Sequence, residues 1–271
     1  MDKDRARMPG RIATVWRFRH FWLSLAGMDL RVRYRRSVLG IGWSLLNPIV
    51  MTVVFCVGFS TWTGNGDWRT AASFYLTGLA VWDFIKHSAV QGSLTFPRNE
   101  PYIRQSPIPL AVYTLRTSLG TAVHFGIALV VAVVAIGVLH PTDHFTSLYA
   151  LWAVVPAACL LLLFCWAVST LCAVANVYFH DTQHLAEVGL NIGFFLTPII
   201  YAKERLVERG LGFVADVNPV VAFLDIIRDP LLTGAPSTTA AFVQAAGLTF
   251  VAVVAAVAVL ARFERRLVFH L

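Results

Sequence analysis

The chain has 271 residues, of which 57% are hydrophobic and 14% are charged, and its net charge is +7 at neutral pH. Soluble domains carry about 25% charged residues, so this composition argues against a water-soluble enzyme and predicts a protein that lies largely within a bilayer. The four cysteines lie inside apolar segments, which argues against a disulfide framework, and we interpret them as core residues.

A basic segment with helical periodicity precedes the first long apolar stretch. Polar or small residues recur there at steps of three or four, with aromatic and aliphatic residues filling the remaining positions: Thr14, Arg17, His20, Ser24, Gly27 and Arg31. This pattern predicts an amphipathic helix in the membrane interface. The helix is either a plain anchor for the first span or also a surface against which a cytoplasmic partner pushes. We assign residues 1–38 to this cytoplasmic N-terminal part.

Six apolar segments follow, each close to the length of about 20 residues that crosses the hydrocarbon layer. They cover residues 39–62, 72–91, 110–139, 148–176, 184–201 and 240–261. The third and fourth are longer than a bilayer requires, and the fifth is barely long enough. The predicted fold class is therefore an all-α integral membrane protein with six transmembrane helices in one domain, residues 39–261, followed by a cytoplasmic tail, residues 262–271.

The distribution of Lys and Arg between these segments predicts the orientation. Alternate sides of the membrane receive seventeen and five basic residues. Because the more basic side faces the cytoplasm, both termini are predicted to be cytoplasmic, which requires an even number of spans. The positive charge lies beside membrane segments, so we interpret it as a signal for topology and lipid headgroups and expect no nucleic-acid partner.

Two connections between spans have unusual composition. Residues 96–109 contain four prolines, which predict a short, stiff, structured cytoplasmic loop. Residues 202–239 form the longest outside connection, and they are too rich in aliphatic residues for a disordered loop. Asn218-Pro219 and Asp229-Pro230 are predicted breaks, so we expect one or two half-helices near the outer leaflet, including residues 220–228.

Few side chains are candidates for chemistry. Asp83, Lys86 and His87 share one face of the second span, where they either neutralise one another or line a pore or proton path. Phe55, Phe59 and Trp62 form a stripe that is explained by packing or by stacking against sugar rings. His180, Asp181 and His184 stand close in sequence; we interpret them as a polar turn with Asp181 capping the next helix, and we expect no metal there.

The motifs of common enzymes are absent. The sequence contains no G-x-x-x-x-G-K-[ST], no H-E-x-x-H and no G-x-S-x-G. We therefore predict no catalytic residue and no cofactor on this chain, and any ATP that drives it is hydrolysed by another protein.

The entrance of the first predicted span has a distinctive motif: Asp29-Leu30-Arg31-Val32-Arg33-Tyr34-Arg35-Arg36-Ser37-Val38-Leu39-Gly40 with Trp43, Asn47 and Pro48. In this motif the sequence resembles the membrane subunits of ABC transporters that export polysaccharides, such as lipid-linked O-antigen, teichoic acid, galactan or capsule. The resemblance extends to Phe96-Pro97, Pro109-Leu110, the turn from Asn176 to Asp181, Thr197-Pro198-Ile199-Ile200-Tyr201, Asn218-Pro219 and Phe263-Glu264-Arg265-Arg266. His180 and Met28 depart from the family pattern, which leaves the details of the ATPase contacts open.

This resemblance implies a homodimeric permease of the bacterial inner membrane with two soluble ATPase subunits, which bind the ATP and magnesium. The cargo would be a polysaccharide on an undecaprenyl-diphosphate or related lipid anchor. The implied ATPase contacts are Arg31, Arg33, Tyr34, Arg35, Arg98, Glu100, Tyr102 and Arg104. The implied channel residues are Trp43, Phe55, Phe59, Trp62, Asp83 and Lys86, and the implied outer gate contains Asn218, Pro219 and Phe223.

Three alternatives stay open at this point. One is a permease of the same superfamily that exports a small molecule or a lipid. Another is a membrane-embedded enzyme that modifies lipids or glycans, although the sequence shows no acid, base or metal cluster for it. The third is a proton-coupled carrier built around Asp83 and Lys86.

Overall fold

The computed structural model describes residues 19–34, 37, 40, 42–59, 67–105, 108–140 and 148–270. These residues form helices joined by turns and short connections, which confirms the all-α prediction. The helices are α1 (Arg19–Tyr34), α2 (Gly42–Phe59), α3 (Trp68–Ser93), α4 (Thr95–Gln105), α5 (Leu110–Leu139), α6 (Leu148–Tyr178), α7 (Thr182–Leu196), α8 (Glu204–Glu208), α9 (Gly212–Val217), α10 (Pro219–Thr233) and α11 (Thr239–His270).

Four helices in the described part of the chain are long and apolar enough to cross a membrane. They are α2, α5, residues Trp152–Tyr178 of α6 and residues Thr239–Glu264 of α11, which match the predicted first, third, fourth and sixth spans. The chain is therefore a multi-pass membrane protein. The predicted second and fifth spans form α3, with 26 residues, and α7, with only 15. The count of six spans and the side on which the termini lie stay predictions.

Helix α3 is the central helix of the bundle. It packs against α2, α5, α6, α7 and α10, and 17 of its 26 residues are buried. Its polar side chains bond to its own backbone one turn earlier, as Ser73 Oγ does to the Arg69 carbonyl at 3.0 Å and Thr77 Oγ1 to the Ser73 carbonyl at 3.0 Å. A helix surrounded by protein can carry such residues, whereas a lipid-facing helix carries mostly apolar ones.

Close backbone approach holds α3 against α6. A Cβ atom on Gly92 would lie 2.6 Å from Ser169 Cα and 2.8 Å from the Ser169 carbonyl oxygen, so only glycine fits at this crossing. Small residues at helix crossings are typical of membrane proteins, because close approach of the helices maximises van der Waals contact. A second buried cluster, which includes Phe96, Tyr113, Val177 and Leu267, joins α4, α5, α6 and α11.

Three proline positions differ in their effect on helices. Helix α7 ends at Leu196, five residues before the predicted end, because Thr197 adopts an extended conformation (φ −99°, ψ 137°) before Pro198. By contrast, residues 96–105 of the predicted loop at residues 96–109 are helical and belong to α4. Pro97 lies in the first turn of α4, where a missing N–H costs nothing, and Pro101 is tolerated inside it.

The outer connection contains three helices, α8, α9 and α10. The predicted helix at residues 220–228 is present within α10, but the predicted break at Asp229-Pro230 is wrong. Pro230 is buried inside α10, and the packing of this helix holds it together beyond the missing backbone hydrogen bond. The helix ends at Thr233, followed by Gly234 in the left-handed conformation with φ 70°, a common helix stop.

Two local predictions are wrong. Asp181 stands at the N-cap position of α7, but its carboxylate makes no capping hydrogen bond, because its backbone (φ −81°, ψ 0°) is not extended as a capping residue requires. Of the four cysteines, Cys165 is buried, Cys56 and Cys172 are half-buried and Cys159 is exposed, so Cys159 is not a core residue of this chain. Residues of the N-terminal prediction before Arg19 lie outside the described residues.

The contact at Gly92 generates a stability prediction. We expect Gly92→Ala to lower the stability of the purified protein by about 1–3 kcal/mol, because the added methyl group collides with the Ser169 backbone. The matched control is Gly126→Ala on α5, where no atom lies within 4 Å and alanine favours the helix. Thermal unfolding in detergent measures both variants. Equal unfolding temperatures for the two variants would contradict the assigned α3–α6 crossing.

Candidate functional site

A cavity of about 210 Å³ opens between α2, α3 and α5. We call it the inner cavity, because Trp43 and Ser44 in its wall follow the basic run that is predicted to be cytoplasmic. Two of the predicted channel residues, Trp43 and Asp83, are brought together here. The full lining consists of Trp43, Ser44, Asn47, Pro48, Ala80, Asp83, Phe84, His87, Gln91, Thr121, His124, Phe125 and Ala128.

Polar contacts fix the walls of the inner cavity. Ser44 Oγ and His124 Nδ1 are 2.7 Å apart, which ties α2 to α5 across the cavity. His87 Nδ1 lies 2.7 Å from the backbone carbonyl oxygen of Asp83, so this ring nitrogen carries the proton and donates it. The carboxylate of Asp83 itself makes no hydrogen bond or ion pair with any residue that the structure describes. The cavity therefore contains a carboxyl group without a hydrogen-bond partner among the described residues.

Lys86 points away from Asp83. Its Nζ donates a hydrogen bond of 2.8 Å to Asn191 Oδ1 on α7, so it links α3 to α7 and does not line the inner cavity. Asp83 and Lys86 therefore form no ion pair, but His87 and Lys86 are close enough to offset part of the charge of Asp83, as the shared helix face predicts. The choice between mutual neutralisation and a proton path stays a prediction.

Helix α7 exposes a polar stripe that sequence reasoning missed. His184, Glu187 and Asn191 recur on one helical face and are exposed, and α7 has no buried residue at all. An acid and an amide inside a predicted span face water or another protein surface rather than lipid. The charge of Glu187 within the fifth apolar segment was the available signal.

The aromatic residues at the other end of α2 pack together. The ring of Phe55 lies 6.1 Å from that of Phe59, 6.0 Å from that of Tyr75 and 5.8 Å from that of Phe194, measured between centroids. Both phenylalanines are half-buried. These contacts favour the packing alternative over a free stacking wall. Trp62, the third residue of the predicted stripe, lies outside the described residues.

Arg228 anchors α10 at the outer side. Its side chain is 7% exposed, and its Nη1 donates to the Pro198 carbonyl at 3.0 Å, just beyond the end of α7. Its Nη2 donates to the Phe74 carbonyl of α3 at 3.4 Å, and the guanidinium carbon stacks 3.7 Å above the Phe74 ring. The guanidinium fits here because residue 78 is glycine: a Cβ atom on Gly78 would lie 2.3 Å from Nη2 of Arg228. The sequence analysis assigned no role to this residue.

The electrostatic surroundings keep Arg228 charged. Burial lowers the pKa of the guanidinium to about 10, and the nearby carboxylates of Asp225 and Asp229 partly oppose this effect. A pKa of about 10 leaves the group protonated at neutral pH, so Arg228 acts as a permanent cation. Cation–π contact with Phe74 and two carbonyl acceptors replace the water that the charge has lost.

The predicted outer-gate residues also hold α10 in place. Asn218 Nδ2 donates to Thr197 Oγ1 at 2.8 Å, and its Oδ1 accepts a capping bond from the Val220 amide at 2.9 Å. Pro219 occupies the first helical position, which suits its fixed φ. Phe223 is fully buried, with its ring 4.6 Å from that of Phe164 on α6. Contact between Phe223 and any cargo therefore requires α10 to leave α6.

The predicted ATPase-contact residues on α4 share its exposed face. The opposite face of α4 is buried through Phe96, Asn99 and Ile103, and Arg116 Nη1 on α5 donates to Asn99 Oδ1 at 2.9 Å. Tyr102 is 51% exposed. On the exposed face, Arg98 bonds to Gln91 at 2.6 Å and Arg104 pairs with Glu100 at 2.9 Å. Arg31 on α1 is exposed, while the side chains of Arg33, Tyr34 and Arg35 lie outside the described part.

Comparison with known proteins yields one family and a consistent set of relatives. The model of the ABC-2 type transporter family matches residues 21–232. A Klebsiella pneumoniae protein named O-antigen export system permease protein RfbA is 27% identical over 210 residues, which is 78% of this chain and 79% of that protein. A Myxococcus xanthus protein of the same name is 25% identical over 217 residues, 79% of this chain and 80% of that protein.

The contacts of Arg228 generate a mutational prediction. We expect Arg228→Met to lower stability by about 2–4 kcal/mol, because it leaves the Pro198 carbonyl buried without a donor and removes the bond to the Phe74 carbonyl. Arg228→Lys should fall between wild type and Arg228→Met, since one ammonium cannot reproduce a forked donor. Arg209→Met is the matched control, because Arg209 is exposed. Thermal unfolding is the measurement, and a wild-type value for Arg228→Met would refute the anchoring role.

Proposed function

The chain belongs to the ABC-2 type transporter family, and we propose that it is the permease subunit of an exporter that moves a lipid-linked polysaccharide across the bacterial cytoplasmic membrane. The names of the relatives in Klebsiella and Myxococcus, which match about four fifths of the chain, support the cargo class. The permease supplies the path, and ATP hydrolysis with magnesium occurs on a separate subunit. The same cargo class covers O-antigen and teichoic acid.

The structural observation that carries the transport role is the polar stripe of α7. A short helix that exposes His184, Glu187 and Asn191 among apolar residues cannot be surrounded by lipid on every side without a large desolvation cost. A water-filled path beside α7 removes this cost. The Lys86–Asn191 bond then attaches the wall of the path to the central helix α3.

A second copy of the chain completes the path in this proposal. Only 11% of the residues in the apolar, membrane-spanning part of α2 are buried within this chain, and no residue of α7 is buried. These two helices therefore expose surfaces that a second copy of the chain could cover in a homodimer, with the path enclosed between the two copies. Both termini and α4 would face the cytoplasm, and α8 to α10 would lie at the outer mouth. The membrane lipids contact the remaining apolar faces.

The exposed face of α4 fits a docking site for the ATPase subunit. Its buried face is fastened to α5, α6 and α11 through the cluster that contains Phe96 and Leu267. Glu264 of α11 also accepts a hydrogen bond of 3.3 Å from the Leu110 amide, at the point where α5 begins. Force applied to α4 is thus passed to three helices of the bundle. Arg31 of α1 would contribute a second contact, since α1 packs on α5.

Deletion of the gene in its native host tests the cargo class. We expect the surface polysaccharide to disappear and the polymer to accumulate inside the cell on its lipid anchor, because synthesis continues while export stops. Electrophoresis of surface and intracellular glycans is the measurement, and a plasmid copy of the gene is the control. An unchanged surface glycan would contradict polysaccharide export.

Replacement of Tyr102 tests the ATPase contact. We expect Tyr102→Ala to reduce co-purification of a Walker-motif ATPase from the native host, because interface aromatics contribute much of the binding energy. Phe213→Ala is the matched control, since Phe213 is an equally exposed aromatic side chain on the predicted outer side. Both variants should unfold at the wild-type temperature. Equal recovery of the ATPase with both variants would refute the role of Tyr102.

A further inference from the structure

We propose that the inner cavity binds one neutral sugar ring of the cargo, held by the Asp83 carboxylate and stacked against Trp43. This inference rests on the proposed export of a polysaccharide and adds where and how the permease recognises the glycan. It assigns a binding role to side chains of α2, α3 and α5 that lie together only in the folded chain.

The size of the inner cavity suits a single ring. Its volume of about 210 Å³ is room for about seven water molecules at ~30 Å³ each. This is less than the roughly 300–1,000 Å³ of pockets that enclose drug-sized molecules. A single pyranose can replace these waters and exchange their hydrogen bonds for those of its hydroxyl groups.

The charge of the lining selects against the lipid anchor. Asp83 is the one acidic residue among the thirteen lining residues, and none of them is Lys or Arg. A diphosphate placed beside this carboxylate would be repelled, and no guanidinium or ammonium in the lining would offset the repulsion. The cavity therefore fits the uncharged part of a lipid-linked glycan and not its anionic linkage.

The hydrogen-bonding groups match a polyol. The carboxyl group of Asp83 makes no hydrogen bond with the described residues, so ligand hydroxyls would supply its missing partners. With Nδ1 of His87 bound to the Asp83 carbonyl, the Nε2 atom of this exposed ring is left as an acceptor. Asn47 and Gln91 add amide groups to the wall. The lining thus contains both donors and acceptors, as hydroxyl groups require.

The aromatic groups provide the apolar side of the site. Trp43 is 53% exposed at the edge of the cavity, so a face of its indole is open to a ligand. The C–H face of a pyranose is apolar and packs on such a ring, while its hydroxyls point sideways to polar groups. Phe84 and Phe125 close the opposite wall by stacking on each other, 4.7 Å apart at 11°. Their mutual contact makes this wall rigid.

A metal ion is a poor occupant of the same space. Within the residues that the structure describes, no three His, Cys, Asp or Glu side chains form a group that could hold an ion. An organic ammonium would satisfy Asp83 and stack on Trp43 as well. The test below therefore includes a small quaternary ammonium as one of its arms.

The test measures protection of a cysteine placed in the cavity wall. Asn47→Cys is introduced into the permease, which is reconstituted with its ATPase in lipid nanodiscs, and its reaction with a maleimide is timed and corrected for the native cysteines. Three probes are compared with buffer: methyl glycosides of the sugars found in the host polymer, sodium diphosphate and tetramethylammonium chloride. Each is used at ~50 mM, enough to fill a site of about millimolar Kd.

We expect the glycosides to slow the labelling of Asn47→Cys at least threefold, and diphosphate and tetramethylammonium to leave it unchanged. Asp83→Asn in the same background should abolish the protection, because it replaces one acceptor oxygen of the carboxyl group by an amide donor while preserving shape. Glu208→Gln, at an exposed acid of α8, is the matched control and should retain protection. Protection by diphosphate or tetramethylammonium alone, protection that survives Asp83→Asn, or protection by none of the three probes would each overturn the proposal.

A second measurement separates this proposal from polysaccharide export itself. In the host, Asp83→Asn should lower the rate at which polymer reaches the surface about tenfold, the loss expected for one hydrogen bond to a charged group. Wild-type thermal unfolding of the variant shows that it folds. If gene deletion abolishes the surface polymer while Asp83→Asn changes neither export nor labelling, the cavity proposal fails and the export function stands. If gene deletion leaves the polymer unchanged, export itself fails.

Discussion

The guanidinium of Arg228 lies where three parts of the chain meet, and the arrangement of the outer half depends on it. Charges are buried in proteins only when hydrogen bonds replace their hydration. Here the replacements are backbone carbonyls at Pro198 and Phe74 together with the Phe74 ring. The bonds require that α7 has ended before Pro198 and that residue 78 has no side chain. The proline, the glycine and the arginine thus form one structural unit.

This unit divides the outer region into a fixed and a displaceable part. Helix α10 is buried against α3 and α6, with Phe223, Ile226 and Ile227 fully covered. Helices α8 and α9 bury a single side chain, Ala215, between them. Segments with little buried apolar surface open at low free-energy cost. By this criterion displacement costs least in α8, α9 and α7, while α10 is the fixed helix beside them.

Sequence patterns predicted the apolar helices of this protein, including the buried helix α3, and left out the side-chain contacts that join them. The apolar segments of α2, α5, α6 and α11 were recognisable because a lipid-facing helix must be apolar on its surface. The hydrogen bonds by which Lys86 and Arg228 join helices could not be recognised in the sequence. Their partners lie 105 and 30 residues away, and local patterns along the chain do not encode such pairs. Asp83 was recognised as unusual because it is a charged residue in an apolar segment. That Lys86 bonds to Asn191 and not to Asp83 became visible only from the position of α7 in the structure.

Proline illustrates the same limit within one residue type. Pro198 ends a helix, whereas Pro101 and Pro230 lie inside helices. The local rule that proline removes one hydrogen bond holds at all three sites. What differs is the packing: buried neighbours such as Ile103 and Leu231 hold α4 and α10 together as helices, whereas the buried turn at residues 197–200 is held in its non-helical form by the bond from Arg228 to the Pro198 carbonyl. Tertiary contacts thus decide whether a proline ends a helix or stays within it.

The distribution of charge along the proposed path follows from these contacts. The cations inside the bundle, Lys86 and Arg228, are used to join helices, and the exposed cations Arg31 and Arg98 lie at the ends of helices predicted to be cytoplasmic. Asp83 in the inner cavity and Glu187 on the exposed face of α7 are acids, and the ionisable groups beside them are histidines. A path with acidic and amide groups repels anions and hydrogen-bonds weakly to hydroxyls. Such a path holds a neutral glycan loosely enough to let it advance, while the anionic end of the cargo is attracted to the basic surface where transport begins.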